Sequence, residues 1–171
     1  MATANDKLQD ESIAHAIWIA RYSTSVANRM IKTLNDSDAE LTARLLVAMD
    51  SLDADSFTVS RLEALLSSVR ALNREAVQSM YAGLSDELQQ LAQHEAGFQL
   101  SLFQFAIPDD VLSLHPLVGI SPDAVYAAAM AQPFQGRLLS EWADNLEADR
   151  MARISNTVRQ GFLLGDTHEQ I

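Results

Sequence analysis

Cysteine is absent from this sequence of 171 residues. Its absence excludes disulfide frameworks, zinc sites built on thiolates and enzymes with a cysteine nucleophile. Glycine and proline are scarce, with six and four residues, and this scarcity favours helix. No apolar run approaches the roughly 18 residues of a transmembrane helix. The first residues are polar and acidic, and they lack the basic start and apolar core that predict a secretory signal.

Basic residues are also few. Twelve lysines and arginines stand against 23 acidic residues, which gives a formal net charge of −11 at pH 7. This balance argues against broad binding to nucleic acid, because such binding needs a basic face that displaces counterions. Apolar residues make up 48% of the chain, so composition does not predict disorder. The length is sufficient for one domain with a real core.

The clearest pattern is an apolar stripe that predicts one long helix over about residues 58–106. Apolar residues recur there at steps of three and four, as on one face of an α-helix. They are Val59, Leu62, Leu66, Val69, Leu72, Ala76, Met80, Leu84, Leu88, Leu91, Phe98, Leu102 and Phe105. A straight helix of that length measures about 72 Å. The alternative is a turn at Gly83, where Ser85 would cap a new helix, and that turn would give an ordinary closed bundle.

The N-terminal part is predicted to pack as helices against the long helix. Residues 1–10 are expected to form a flexible arm. A first helix is predicted from Asp10 to about Leu34, and a break at Asn35–Asp38, which is rich in capping residues. A second helix is predicted over Ser37–Met49. Residues 11–106 would then form a region of long helical hairpins.

The part beyond the long helix is predicted to begin with an extended connector over residues 107–122, which is rich in proline and lacks a helical period. Ser121 is a strong N-cap candidate because Pro122 follows it. A short helix is predicted to run to Gln132, and a last long helix from Arg137 to about Leu164. Residues 123–171 form the predicted C-terminal helical segment. The whole pattern predicts an all-α, elongated fold of helical hairpins around one long helix.

The segment from Pro133 to Ile171 carries a specific motif. A Pro-Phe-x-Gly-x-x-Leu-x-x-Trp turn leads into a helix that ends in Ile-x-x-x-Val-x-x-Gly, followed by Gly-Asp-Thr and a Gln-Ile pair. The matching residues are Pro133, Phe134, Gly136, Leu139, Trp142, Ile154, Val158, Gly161, Gly165, Asp166, Thr167, Gln170 and Ile171. This motif resembles the corresponding segment of phage head morphogenesis proteins, the Mu F-like minor head family. Similarity in style extends over roughly residues 40–171.

The resemblance implies a virion structural protein, a minor capsid component associated with the portal vertex inside the head. Such a protein would reside in the host cytoplasm before assembly and would help head assembly or genome delivery. Its expected partners are phage portal or neck proteins and copies of itself in a ring, with no sequence-specific nucleic-acid binding and no stable membrane insertion. In the family a C-terminal globular domain follows this helical region. No part of this sequence matches that domain, so its activities are not carried over.

Candidate catalytic chemistry is sparse. Paired carboxylates such as Asp109-Asp110 and Asp86-Glu87 have no histidine, serine or lysine at a catalytic spacing. The four histidines, His15, His94, His115 and His168, occur singly in four different segments. No glutamate has a histidine three residues later, as a di-iron bundle requires. We therefore expect no catalytic residue, no cofactor and no metal site, and we do not expect an enzyme.

The candidate partner-binding residues lie at the end of the long helix and around the Gly136 turn. They are Phe134, Trp142, Arg137, Leu138, Leu102 and Phe105. Phe134 and Trp142 bracket the turn, where they either anchor it locally or face a partner as hot-spot aromatics. The alternative function is a soluble helical adaptor or regulatory bundle that binds one protein partner. Exposed hydrophobic surface separates the two interpretations, because a closed bundle would bury it.

Overall fold

The computed structural model of the chain describes residues 4–50 and 59–164. Those residues form five helices, and β pairing among them is limited to one isolated bridge. The helices are α1 (Ala4–Asp50), α2 (Val59–Ala106), α3 (Asp109–Leu114), α4 (Pro122–Ala131) and α5 (Leu139–Leu164). The predicted all-α fold class is therefore confirmed.

Helix α2 confirms the long helix predicted from the apolar stripe. It passes through Gly83 without a break, so the alternative turn at that residue is wrong. A glycine inside a helix costs only about 1 kcal/mol relative to alanine, far less than burial of the stripe contributes. The hydroxyl of Ser85 lies 2.5 Å from the hydroxyl of Tyr126, a contact outside the helix. Ser85 lies in the middle of α2 and its hydroxyl contacts a residue of α4, so it does not cap a new helix.

Helix α1 corrects two predictions about the N-terminal part. Residues 4–10, expected to belong to a flexible arm, form its first turns, whereas residues 1–3 lie outside the described residues. The break expected at Asn35–Asp38 is wrong because α1 is continuous there. Asp36 pairs with Lys32 one turn earlier, and Asp38 pairs with Arg150 of α5. These side chains thus make contacts from within a helix and do not cap its ends.

The predicted connector is partly helical. Six of its residues form α3, although an extended conformation was expected for the whole of residues 107–122. Asp109 and Asp110 lie in the first turn of α3, where negative charge favours a helix. The start of α4 is confirmed: Ser121 accepts a hydrogen bond from the Ala124 amide at 3.2 Å, with Pro122 at the first helical position.

A tight turn precedes α5 and delays its start from the predicted Arg137 to Leu139. The backbones of Phe134 and Arg137 exchange two hydrogen bonds of 2.8 and 3.2 Å. The two residues between them, Gln135 and Gly136, have φ values of 49° and 78°. Positive φ at both central positions is the geometry of a type I′ turn, which favours glycine. The predicted C-cap at Gly165 and the helix start after it lie outside the described residues.

The chain divides into two compact units. Unit 1 comprises residues 1–29 and 83–138, and unit 2 comprises residues 30–82 and 139–171. The four segments predicted from the sequence, with boundaries at residues 10, 106 and 122, stay a prediction as domains.

Unit 2 has an aliphatic core built by α1, α2 and α5. Its buried residues are Leu41, Leu65, Leu66, Val69, Met151 and Val158. Asn73 of α2 is completely buried beside it, and its side-chain amide donates to the backbone oxygen of Glu147 at 3.0 Å. The other side-chain atom, Oδ1, has no hydrogen-bond partner among the described residues. A buried polar contact of this kind fixes the register of α2 against α5. If the helices slid past each other, the side-chain NH2 of Asn73 would lose its acceptor and both polar atoms of the side chain would be unsatisfied.

The first prediction concerns Asn73. We expect Asn73→Asp to destabilise the protein by about 3 kcal/mol or more, because it places an unpaired carboxylate in a fully buried position. The matched control is Asn145→Asp, the same chemical change at an exposed position of the same unit, with an expected effect within about 1 kcal/mol. Urea denaturation followed by circular dichroism measures both. Equal midpoints for the two variants would contradict the burial of Asn73.

The second prediction compares two glycines of unit 1. Gly136→Ala should destabilise the protein by about 1 kcal/mol, since alanine resists the positive φ of the turn. Gly97→Ala should stabilise it by about 0.5–1 kcal/mol, because Gly97 lies inside α2 and a Cβ there would have open space. Thermal denaturation of the two variants checks the opposite signs. A stabilising Gly136→Ala would rule out the left-handed turn.

Candidate functional site

Unit 1 brings polar and aromatic side chains of α1 and α2 together along one helix–helix contact. Residues three and four apart share a helix face, which places His15, Trp18 and Tyr22 together on α1. Their contacts on α2 are Glu87, His94, Glu95 and Phe98. Unit 1 thus differs from the aliphatic core of unit 2.

Four rings of this contact stack in two interhelical pairs. The rings of His15 and Phe98 have centroids 3.7 Å apart and planes within 12°. The rings of Trp18 and His94 have centroids 3.9 Å apart and planes within 25°. Close stacking restricts rotation of both imidazoles and holds them at defined positions.

The two histidines lie beside a carboxylate, and we call His15, His94 and Glu95 the histidine–glutamate cluster. Nε2 of His15 lies 2.8 Å from Oε1 of Glu95. That oxygen is buried, and it forms no hydrogen bond within the described part of the chain. One ligand atom from each residue lies within 4.8 Å of the other two. Two imidazole nitrogens and a carboxylate oxygen can together hold a proton or a cation.

Sequence reasoning missed this cluster. It treated the histidines as separate because they lie in different segments, and it expected no metal site. The distance between His15 and His94 in the sequence says nothing about the register of α1 against α2. The available signal was that His15 falls on the same helical face as Trp18 and Tyr22, whereas His94 and Glu95 fall next to the apolar stripe of α2.

A second polar group lies at Tyr22. Its hydroxyl lies 2.7 Å from Oε2 of Glu87 and 2.9 Å from the Glu87 backbone oxygen, and it can donate to either. Arg29 pairs with the other carboxylate oxygen at 2.5 Å. Burial and the hydrogen bond to Glu87 raise the pKa of Tyr22 to about 12. The hydrogen bond from Tyr22, together with Arg29, lowers the pKa of Glu87.

An apolar groove lies between α2, the segment that follows α3, and α4, and we call it the connector groove. It encloses about 350 Å³, and its apolar lining includes Leu100, Phe103, Leu117, Val118, Ile120 and Val125. Val118 and Ile120 are 92% and 69% exposed. At Gly119 a Cβ would lie 3.3 Å from Cδ2 of Leu100, so the backbone approaches α2 closely there.

The six predicted partner-binding residues do not line the connector groove, and no contact tests their role. Phe134 and Arg137 meet across the turn before α5. Phe105 is exposed, and the amine of Lys7 lies 4.6 Å from its ring centroid. Leu102 is half-buried on α2. Leu138 is partly exposed after the turn, whereas Trp142 is half-buried on α5 in unit 2.

The third prediction concerns the carboxyl group of Glu87. In Tyr22→Phe the carboxylate loses a hydrogen bond that stabilises its charged form, so its pKa should rise towards the ordinary value. The lowered pKa contributes stability above the unfolded pKa of about 4.3, and that stability is lost as the pH falls through the folded value. For Tyr22 the sign is opposite, and stability falls as the pH rises from about 10 to 12.

Carboxyl-carbon NMR titration of Glu87 measures the shift. Tyr126→Phe is the matched control, since the Tyr126 hydroxyl contacts Ser85, and it should leave the Glu87 pKa unchanged. An unshifted Glu87 titration in Tyr22→Phe would exclude the hydrogen bond as the main cause.

Comparisons with known proteins identify no relative of this chain. No family model, no curated protein and no solved structure matches this chain. Among the described helices, none combines the length and the hydrophobicity needed to cross a membrane. The resemblance to phage head proteins over residues 133–171 therefore stays a prediction.

Proposed function

We propose that this chain acts by packing against other proteins, as a minor structural component of a phage particle at the portal or neck of the head. The observation that carries the packing role is the connector groove, an exposed apolar surface in an acidic stretch. The motif between Pro133 and Ile171 supports the assignment to phage. In this proposal the chain performs no catalysis and contributes to head assembly or genome delivery.

The groove has the character of a docking surface. Single exposed apolar residues are common in proteins and carry no meaning by themselves. Here one concave surface is lined by Val118 and Ile120 together with Phe103 and Leu117. Fully burying one such side chain against a partner contributes about 1.5–3 kcal/mol. A few of them therefore suffice to anchor a partner segment at the centre of a larger interface.

The charge of the sequence stretch that carries the groove favours a particular kind of partner. No lysine or arginine occurs between Arg74 and Arg137, whereas Glu95, Asp109 and Asp123 lie within that stretch. Complementary charge steers association and disfavours wrong partners. The groove therefore fits a partner segment whose apolar anchors are flanked by lysine or arginine. A second copy of this chain would bring the same acidic residues, so like charges would oppose contact between copies at this surface.

The turn before α5 supports the resemblance on local grounds. The Pro-Phe-x-Gly pattern predicts a tight turn that opens a helix. The structure has a turn between Phe134 and Arg137, with Gly136 at positive φ and α5 beginning at Leu139. This agreement concerns the local geometry of the turn. The portal or neck partner is part of the proposal.

The fourth prediction tests the groove with a portal or neck protein encoded in the same phage genome. Co-expressed with this chain, that protein should co-elute with it in size-exclusion chromatography. Ile120→Asp should weaken the complex at least about tenfold, because a charge in the groove would be buried without a partner. Ile13→Asp is the matched control: Ile13 is also exposed in unit 1, it lies outside the groove lining, and its substitution should leave binding unchanged.

Three outcomes decide between the interpretations. Co-elution that is lost in Ile120→Asp, together with a few copies of the chain per purified particle by mass spectrometry, supports the proposal. Self-association that depends on Ile120 would replace the portal partner by a second copy. Absence of the chain from purified particles would overturn the virion assignment and leave the adaptor alternative.

A further inference from the structure

The histidine–glutamate cluster has the composition of a transition-metal site. His15 and His94 each offer an imidazole nitrogen and Glu95 offers a carboxylate oxygen, and these atoms lie within 4.8 Å of one another. Two histidines and one carboxylate form a ligand set that zinc uses where solvent or substrate completes its coordination. We infer that the cluster binds one divalent first-row transition ion per chain, with Zn²⁺ as the ion that its donors suit.

The distance between His15 and Glu95 supports this inference. Nε2 of His15 and Oε1 of Glu95 lie 2.8 Å apart, close enough for both atoms to bind one ion. The buried Oε1 of Glu95 forms no hydrogen bond with the described residues, so this oxygen is available as a metal ligand. Metal bonds of about 2.1 Å to two atoms at that separation would subtend an angle of roughly 84°. Such an angle suits neighbouring ligands in five- or six-coordinate geometry.

Stacking prepares the two imidazoles for a shared ion. Phe98 covers one face of the His15 ring, and Trp18 covers one face of the His94 ring. The ring centroids of the two histidines lie 5.7 Å apart, and one nitrogen of each ring lies within 4.8 Å of the other. A site whose ligands are already held in place loses less conformational freedom on binding.

Exposure and donor type determine which ion the cluster suits and how its coordination is completed. His15 and Glu95 are mostly buried, whereas His94 is exposed. An ion there has three protein ligands and an opening towards solvent, so water completes its coordination. The imidazole nitrogens disfavour Mg²⁺ and Ca²⁺, which prefer oxygen ligands throughout.

The fifth prediction is tested on the full chain after removal of metal with a chelator. Isothermal titration with Zn²⁺ alone should show one ion per chain. His94→Ala and Glu95→Gln should each weaken binding at least about tenfold, since each removes a ligand. His115→Ala is the matched control, because His115 is an exposed histidine of the connector outside the cluster, and its removal should leave affinity unchanged. Co²⁺ in place of Zn²⁺ should give a visible absorption band that His94→Ala abolishes.

Each result bears directly on the inference. His94 is exposed and Glu95→Gln preserves shape, so both variants should still fold, as circular dichroism of the metal-free proteins checks, and both remain testable. Absence of Zn²⁺ binding to the wild-type chain, or equal binding by wild type and both variants, would overturn the site. Displacement of Zn²⁺ by about a hundredfold excess of Mg²⁺ would also overturn it, because it would indicate general attraction to carboxylates.

Discussion

Burial of one face of α2 is the constraint on which the rest of the structure depends. This helix contributes Leu65, Leu66 and Val69 to the aliphatic core of unit 2, and its later turns carry the side chains that meet α1 in unit 1. Helices in water gain most of their stability from such packing, since propensity alone contributes little. The breaks that local sequence suggests at Gly83 and at Asn35–Asp38 do not form. A break in either helix would interrupt contacts worth more than a local cap.

The two units satisfy the same requirement with different chemistry. In unit 2 the helices meet through aliphatic side chains, and the buried amide of Asn73 marks their register. In unit 1 the helices meet through stacked rings and through the pairs His15–Glu95 and Arg29–Glu87. Polar contacts between helices contribute little net stability, because desolvation offsets much of the attraction. They do distinguish one register from its neighbours, and they leave groups that are able to bind a ligand.

Sequence predicts the elements of this fold better than the relations between them. The apolar period identified α2 to within a residue, and Ser121 with Pro122 identified the start of α4, because both signals are local. The prediction failed at Asp36 and Asp38, whose carboxylates pair with Lys32 and Arg150 and do not cap a helix. It also failed for α3, where Asp109 and Asp110 outweighed the neighbouring prolines. The histidine–glutamate cluster was not predicted, since the register of α1 against α2 depends on packing that one sequence does not display.

The connector groove lies in a part of the chain that has no amine or guanidinium group of its own. The two lysines of the protein are Lys7 and Lys32, and no arginine falls between Arg74 and Arg137. Trypsin, which cleaves after lysine and arginine, therefore leaves the second half of α2, all of α3 and α4 and the groove in a single peptide. Amine-reactive cross-linkers find no side chain to modify there. Cross-links from this stretch are therefore to be sought through its carboxylates, among them Asp109, Asp110 and Asp123.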